Sequence, residues 1–318
     1  MKMKKILSVA AVLAIAASLG VSASAAQVTG DEYTIKKNYT VTGNTAVNPA
    51  DTLNFTVESA TLVNGGVGAV ANTSDVTIEA VNVAANAATA DIKVKLKNYD
   101  KVGVYTYEIK ETAGSVAGVD YRADSVYLVV TVVNGDNGLE TYAIVRDSDN
   151  STKIEGISNT YTAGSLKITE STEGNLGDDS KKFTSKVTLT APEGKDVTGD
   201  ITYTDAEGEH TATWTDGKIE VDVTIDESTT VTFGNLPKGT TYDVTEESQD
   251  GYTPNVEFKD VTPKVITASE EDEVAITNTK GTNVETGINL DNLPYALALA
   301  GVAVAGGSIV IRRRRVND

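Results

Sequence analysis

Hydrophobic and polar positions alternate along most of the chain with the two-residue period of a strand. Ile92, Val94 and Leu96 alternate with Lys93, Lys95 and Lys97, which predicts a half-buried strand with one wet face. Val126 to Val133 is a nearly unbroken β-branched run. Asn134-Gly135-Asp136-Asn137-Gly138 then turns it into Leu139 to Val145, a hairpin signal. Many short strands at this spacing, with no sustained helical period, predict an all-β protein of tandem β-sandwiches.

Only the two ends break the pattern. Met1 to Lys5 is basic, Ile6 to Val21 is an apolar run, and Ala23-Ser24-Ala25 follows as a small-x-small cleavage pattern. That order predicts a signal peptide over residues 1–25, removed on secretion. Leu293 to Ile311 is apolar and Arg312 to Arg315 come directly after it. About 19 apolar residues suffice to cross a bilayer as a helix. The four arginines would hold residues 312–318 in the cytoplasm.

Between the ends lie roughly 255 residues, enough for two ordinary domains. The expected boundaries are 27–161 and 164–280, with Thr162-Ala163-Gly164 as a short joint. The two units read as diverged copies. Gly103-Val104-Tyr105-Thr106-Tyr107-Glu108-Ile109-Lys110-Glu111 matches Gly239-Thr240-Thr241-Tyr242-Asp243-Val244-Thr245-Glu246 in character, and Ile157-Ser158-Asn159-Thr160 matches Ile276-Thr277-Asn278-Thr279.

Lys+Arg 27 against Asp+Glu 45 gives a net charge of −18, which argues against nucleic acid and anionic membrane surfaces as partners. Cys is absent, so neither lipoprotein processing nor a disulfide is available. With one histidine and no ligand spacing, no metal, cofactor or hydrolase centre is expected. His210, beside a turn, reads as a surface residue. The acidic stretches Gly177-Asp178-Asp179 and Glu270-Glu271-Asp272-Glu273 lack calcium-loop spacing and read as solvated loops.

Strand parity then isolates three polar side chains. Tyr33, Ile35 and Lys37 share one face, as do Tyr105, Tyr107, Ile109 and Glu111, and again Ile157, Asn159 and Tyr161. A Lys, a Glu and an Asn therefore each sit on an otherwise apolar face. Buried polar groups are costly unless they satisfy one another. Lys37 could also snorkel, or pair with Glu111 as an ordinary ion pair. Lys36 takes its place if the parity is off by one.

Two resemblances follow. Asn283-Val284-Glu285-Thr286-Gly287, the apolar segment and the basic tail together resemble a cell-wall sorting signal, in which sortase cuts between Thr and Gly. By that resemblance Thr286 becomes the acyl-enzyme carbonyl and Gly287 leaves. The Lys, Glu and Asn spacing resembles the backbone pilins of Gram-positive sortase-assembled pili, whose Ig-like (CnaB-type) domains carry Lys–Asn isopeptide bonds. The resemblance implies Lys37 as nucleophile, Asn159 as electrophile and Glu111 as catalyst. A protonated Glu111 would donate to the Asn159 carbonyl oxygen and pass a proton to departing ammonia, and burial frees the lysine amine to attack. This is single-turnover chemistry on the chain itself, so the protein is not an enzyme in the usual sense. The bond would close a loop of about 120 residues and stabilise by roughly 4–5 kcal/mol.

The second unit departs from the pattern. Leu166, Ile168 and Glu170 share the inward face, so Glu170 stands where the lysine would be, while Glu246 and Asn278 keep their places and Lys167 points away. No isopeptide bond is expected there. Glu170 and Glu246 could share a proton beside Asn278, or a strand slip could leave Glu170 in solvent.

A pilin also needs an amine to receive the next subunit's Thr. Lys153, six residues before Asn159, occupies the family's place for it. An ordinary solvated lysine is the competing reading. The expected function is a pilus shaft subunit, joined covalently head to tail and anchored to the wall. Its implied partners are sortase, other copies of itself, peptidoglycan, and minor pilins or a host ligand. The alternative is a singly wall-anchored adhesin of the same fold. A wall-anchored enzyme would need a catalytic cluster that the sequence lacks.

Overall fold

The structure, a computed structural model, describes residues 25–281 apart from 45, 198, 260–263 and 268–270. The signal peptide 1–25 (save Ala25), the motif 283–287, the apolar segment 293–311 and the tail 312–318 lie outside the described residues. Among the described residues no helix is long and apolar enough to cross a membrane.

Two β-sandwiches follow one another. In the first, one sheet has the strand order Ala26–Gln27, Gly138–Arg146, Val126–Gly135, Gly103–Thr112, Asp51–Gly65, Val81–Val83. The facing sheet runs from Val76–Ile78 through Thr89–Leu96 and Glu32–Thr42 to Gly156–Glu173. The core between them is built by alternation: Ile92, Val94 and Leu96 are buried while Lys93, Lys95 and Thr89 face water. The Val126–Gly135 hairpin is tighter than the five-residue turn suggests. Gly135 pairs with Gly138, leaving Asp136 and Asn137 as the loop, with Gly138 at φ +129°.

The Gly156–Glu173 strand is common to both sandwiches. Its first half runs parallel to Glu32–Thr42, and its second half runs parallel to Glu271–Thr279 and antiparallel to Thr230–Pro237. Thr162, Ala163 and Gly164 are therefore strand, with a register shift between Gly164 and Leu166 against Thr230–Pro237. One apolar core ends at Ala163 and a second begins at Leu166. The second sandwich is completed by Lys218–Ile225, Phe183–Thr190 and Thr241–Glu246, and by the hairpin of Asp200–Asp205 with Gly208–Thr213.

Main-chain bonds clamp the junction on several sides. Ala117 N–H donates to Asp196 C=O (2.8 Å), Asp196 N–H to Ser115 C=O (2.8 Å), and Lys238 N–H to Thr162 C=O (3.0 Å). Asn235 Oδ1 accepts from the Val47 N–H at 2.9 Å and the Tyr161 hydroxyl at 3.2 Å. At about 3.3 Å per residue the shared strand alone is roughly 55 Å long. Lys153 precedes its start, at the end of the first sandwich remote from the second. Glu271–Thr279 runs parallel to its second half, so the chain leaves at the opposite end.

Candidate functional site: a buried lysine, glutamate and asparagine

Glu32–Thr42 and Gly156–Glu173 are parallel neighbours, with Lys37 opposite Ile157 and Tyr39 opposite Asn159. Both strands turn alternate residues inward, so Lys37 and Asn159 project from one sheet into the core. Glu111 meets them from the facing sheet, at the inward end of Gly103–Thr112, where its strand partner is Phe55. The sequence-predicted Lys37, Glu111 and Asn159 are thus brought together, at 0%, 5% and 1% exposure.

Lys37 Nζ donates to Glu111 Oε2 at 2.5 Å, and Asn159 Nδ2 donates to Glu111 Oε1 at 2.6 Å. Lys36, on the opposite face, pairs with Asp91 at the surface and takes no part. Burial moves the Lys37 ammonium below the ordinary lysine range, against the pull of Glu111. A lysine held in this way yields a neutral amine at modest cost, which nucleophilic attack requires.

One atom stands differently from the expectation. Glu111 engages Asn159 through the amide nitrogen. The carbonyl oxygen, Asn159 Oδ1, instead accepts the Arg122 main-chain N–H at 3.0 Å. A main-chain N–H can only donate, so this contact fixes which end of the amide is oxygen. Sequence reasoning missed the rest of the shell as well. The Tyr39 hydroxyl donates to Asp51 Oδ2 at 2.8 Å and Tyr121 donates to the same oxygen at 2.9 Å. Burial and Asp51 push both phenols up, so they remain neutral donors. Tyr39 was within reach, since it shares the parity of Ile35 and Lys37. Asp51, Tyr121 and Arg122 come from other segments, and nothing local marks them.

The second sandwich repeats the register with different chemistry. Glu170 stands opposite Ile276 and Asn278 opposite Thr172, the positions of Lys37 and Asn159 in the first. Asn278 Nδ2 donates to Glu170 Oε1 (2.8 Å) and to Glu246 Oε1 (2.5 Å), and Ser185 Oγ donates to Glu246 Oε2 (2.5 Å). Glu170 is buried, so the strand slip is not adopted. Lys167 turns outward toward Glu271 and Glu273, and among the described residues no amine joins the four side chains. Burial, with the Glu246 charge adding to it, pushes Glu170 up to about 8, and burial raises Glu246 as well.

Lys153 lies in the exposed turn before Gly156, bridged to Arg146 on the strand edge, with Nζ 3.1 Å from Glu155 Oε1. Thr286 and Gly287 lie outside the described residues. His210 is half-buried rather than fully at the surface. It bonds Asp205 at 2.9 Å and stacks on Tyr203. Among the described residues no three His, Cys, Asp or Glu side chains form a metal site.

Fold and site together define a tandem Ig-like β-sandwich protein whose first unit carries an isopeptide-type core. Residues 33–162 match the family described as a Spy0128-like isopeptide containing domain, and residues 164–280 match a domain of unknown function. No curated protein matches the sequence. Among solved structures, the major pilin from Streptococcus pyogenes is 20% identical, with a TM-score of 0.54 over 80% of this chain and 100% of that one. The T3.2 major pilin of the same species is 19% identical (TM-score 0.55, 80% and 100%), and the T-13 major pilin is 20% identical (TM-score 0.52, 81% and 100%). At such identities the structural likeness is one of fold. The isopeptide-domain family match is to the first sandwich alone.

Proposed function

We propose that this protein is a pilus shaft subunit, polymerised head to tail by a sortase and anchored to the cell wall, with a Lys37–Asn159 isopeptide bond in its first sandwich. The observation that supports the reading is that Lys153 and the last described strand, Glu271–Thr279, lead to opposite ends of the shared strand. Lys153 precedes the shared strand at one end of the molecule, and the chain leaves toward Thr286 at the other. A subunit that gives its Thr286 carbonyl to the Lys153 amine of the next forms a chain of covalent links along a single axis. Sortase would cleave between Thr286 and Gly287, and the last subunit would pass its Thr286 to a peptidoglycan amine.

The buried trio fits that duty. A buried ion pair by itself contributes little net stability. A lysine and an amide held on one carboxylate, with water excluded, are arranged for transfer. A bond there ties Glu32–Thr42 to Gly156–Glu173, the strand that carries load between the ends. The first sandwich would then bear tension through covalent bonds and not through its hydrogen-bond ladder.

The test is an immunoblot of wall extracts from cells producing the protein, boiled in detergent. A ladder of high-mass bands is expected, and Lys153→Ala should collapse it. A single band near monomer mass would sink the shaft reading and leave a singly anchored adhesin.

A further inference from the structure

The geometry points to Arg122 as a catalytic residue of cross-link formation: its main-chain N–H holds Asn159 Oδ1 and receives the negative charge that develops there when Lys37 attacks. This rests on the isopeptide reading above and adds to it the group that activates the electrophile.

Glu111 can serve only two of the three reacting atoms. Its Oε2 accepts from the Lys37 amine and its Oε1 from the Asn159 nitrogen, so the carbonyl oxygen needs another donor. That donor is the Arg122 N–H, 3.0 Å away. Its position is fixed by structure on both sides. Val119–Asp120 pairs antiparallel with Thr160 and Tyr161 of the shared strand, which carries the next residues past Asn159. The Arg122 side chain is then pinned, Nη2 on Asp147 Oδ1 at 2.5 Å and Nε on the Asp124 C=O at 3.1 Å. A donor already in place before charge appears needs no reorganisation during reaction, which is the source of oxyanion-hole catalysis. The guanidinium adds a smaller effect. Its charge acts on Lys37 in the same direction as burial, toward the neutral amine.

The steps balance as follows. The Lys37 ammonium gives a proton to Glu111 Oε2, and the neutral amine attacks Asn159 Cγ. A C–N bond forms and the carbonyl π pair moves to Oδ1, against the Arg122 N–H. Glu111 delivers its proton to Nδ2 and takes one from Nζ. The intermediate then collapses, the Cγ–Nδ2 bond breaks, and ammonia leaves. The products are one secondary amide and one NH3, with the remaining proton on Glu111.

The test compares two forms of the full mature chain that differ in one N–H. The first is Arg122→Ala. The second carries lactate at 122, so that an ester oxygen replaces the main-chain nitrogen. Each is unfolded, refolded and followed by intact mass for loss of one ammonia, with Lys37→Ala as the unlinked reference. The ester form should cross-link about 10²–10³-fold more slowly than Arg122→Ala. Equal rates in the two forms overturn the role of Arg122 while leaving the bond intact. A wild-type chain at its full calculated mass overturns the bond, and this role with it. A second measurement does not depend on the ester form folding. In Lys37→Ala, where the amide persists, NMR should detect a scalar coupling across the hydrogen bond between the Arg122 N–H and Asn159 Cγ. Its absence also overturns the proposal.

Discussion

In the first sandwich Lys37 and Asn159 flank the pairs Lys37–Ile157 and Tyr39–Asn159; in the second, Glu170 and Asn278 flank Glu170–Ile276 and Thr172–Asn278. The backbones are in the same register and both carry a glutamate from the facing sheet. Three side chains differ. Tyr39 beside Asn159 becomes Thr172 beside Asn278. An amine in the first is a carboxyl in the second, and Phe55 opposite Glu111 becomes Ser185 opposite Glu246. The same frame thus holds an amine beside an amide in one unit and two acids around an amide in the other. Under the proposed isopeptide reading, the amine is the group that the second unit lacks.

The strongest way to break the contrast is to take the amine from the first sandwich. Lys37→Ala should keep its full calculated mass, with no loss of ammonia, and cost roughly 4–5 kcal/mol. For a unit of this size that lowers its melting temperature by about 15 °C, read by calorimetry. An unchanged transition would mean that no bond is formed.

The converse variant sharpens it. Glu170→Lys places an amine at the register position of Lys37, beside Glu246 and Asn278. Intact mass should fall by one further ammonia, and the second sandwich should gain about 4 kcal/mol through the closed loop. No further loss of ammonia would show that register alone does not make the site competent.

Next comes the response to pH. The folded state holds the Glu170 proton up to about 8, above the ordinary carboxyl value of 4.5 that an unfolded chain would have. Its contribution is therefore fully present below the unfolded value and is lost as pH rises from about 4.5 to about 8. Trp214, the only tryptophan, packs on the second core and reports its unfolding. Urea titrations of the full chain by Trp214 fluorescence should give a second sandwich weaker by about 2 kcal/mol at pH 8 than at pH 5, solvent at the rim screening part of the full shift. Glu170→Gln should flatten that slope. A slope that persists in Glu170→Gln assigns it to other groups.

The smallest effect concerns Ser185. Ser185→Ala removes one of the two donors to Glu246 and should cost the second sandwich about 1 kcal/mol, read from the same urea midpoint.

How much of this was legible in the sequence follows from what kind of group does the work. Lys37, Glu111 and Asn159 are side chains on regular strands, so a period of two puts each on its apolar face without any knowledge of topology. The same parity isolates Glu170. Arg122 leaves no such trace, because a main-chain donor is independent of residue type and its position depends on where Val119–Asp120 docks. Asp51 and Ser185 are equally silent, since only tertiary packing brings Tyr39 and Tyr121 to the one and Glu246 to the other. The acid–amide cluster of the second sandwich was half legible: the two carboxyls could be seen to face each other, but not the serine that serves one of them. At Thr162-Ala163-Gly164 the small residues read as a joint. They lie between the two cores as buried strand, because the pairing on both sides comes from segments distant in the chain.

That last feature bears on the elasticity of a filament. An 18-residue strand runs through both units and is bonded on either side of the junction, so bending between the two units would have to break that pairing. In a filament of such subunits, flexure would be confined to the linkages between them. Its stiffness would then be tuned by the few residues that lead from the end of one body to Lys153 of the next.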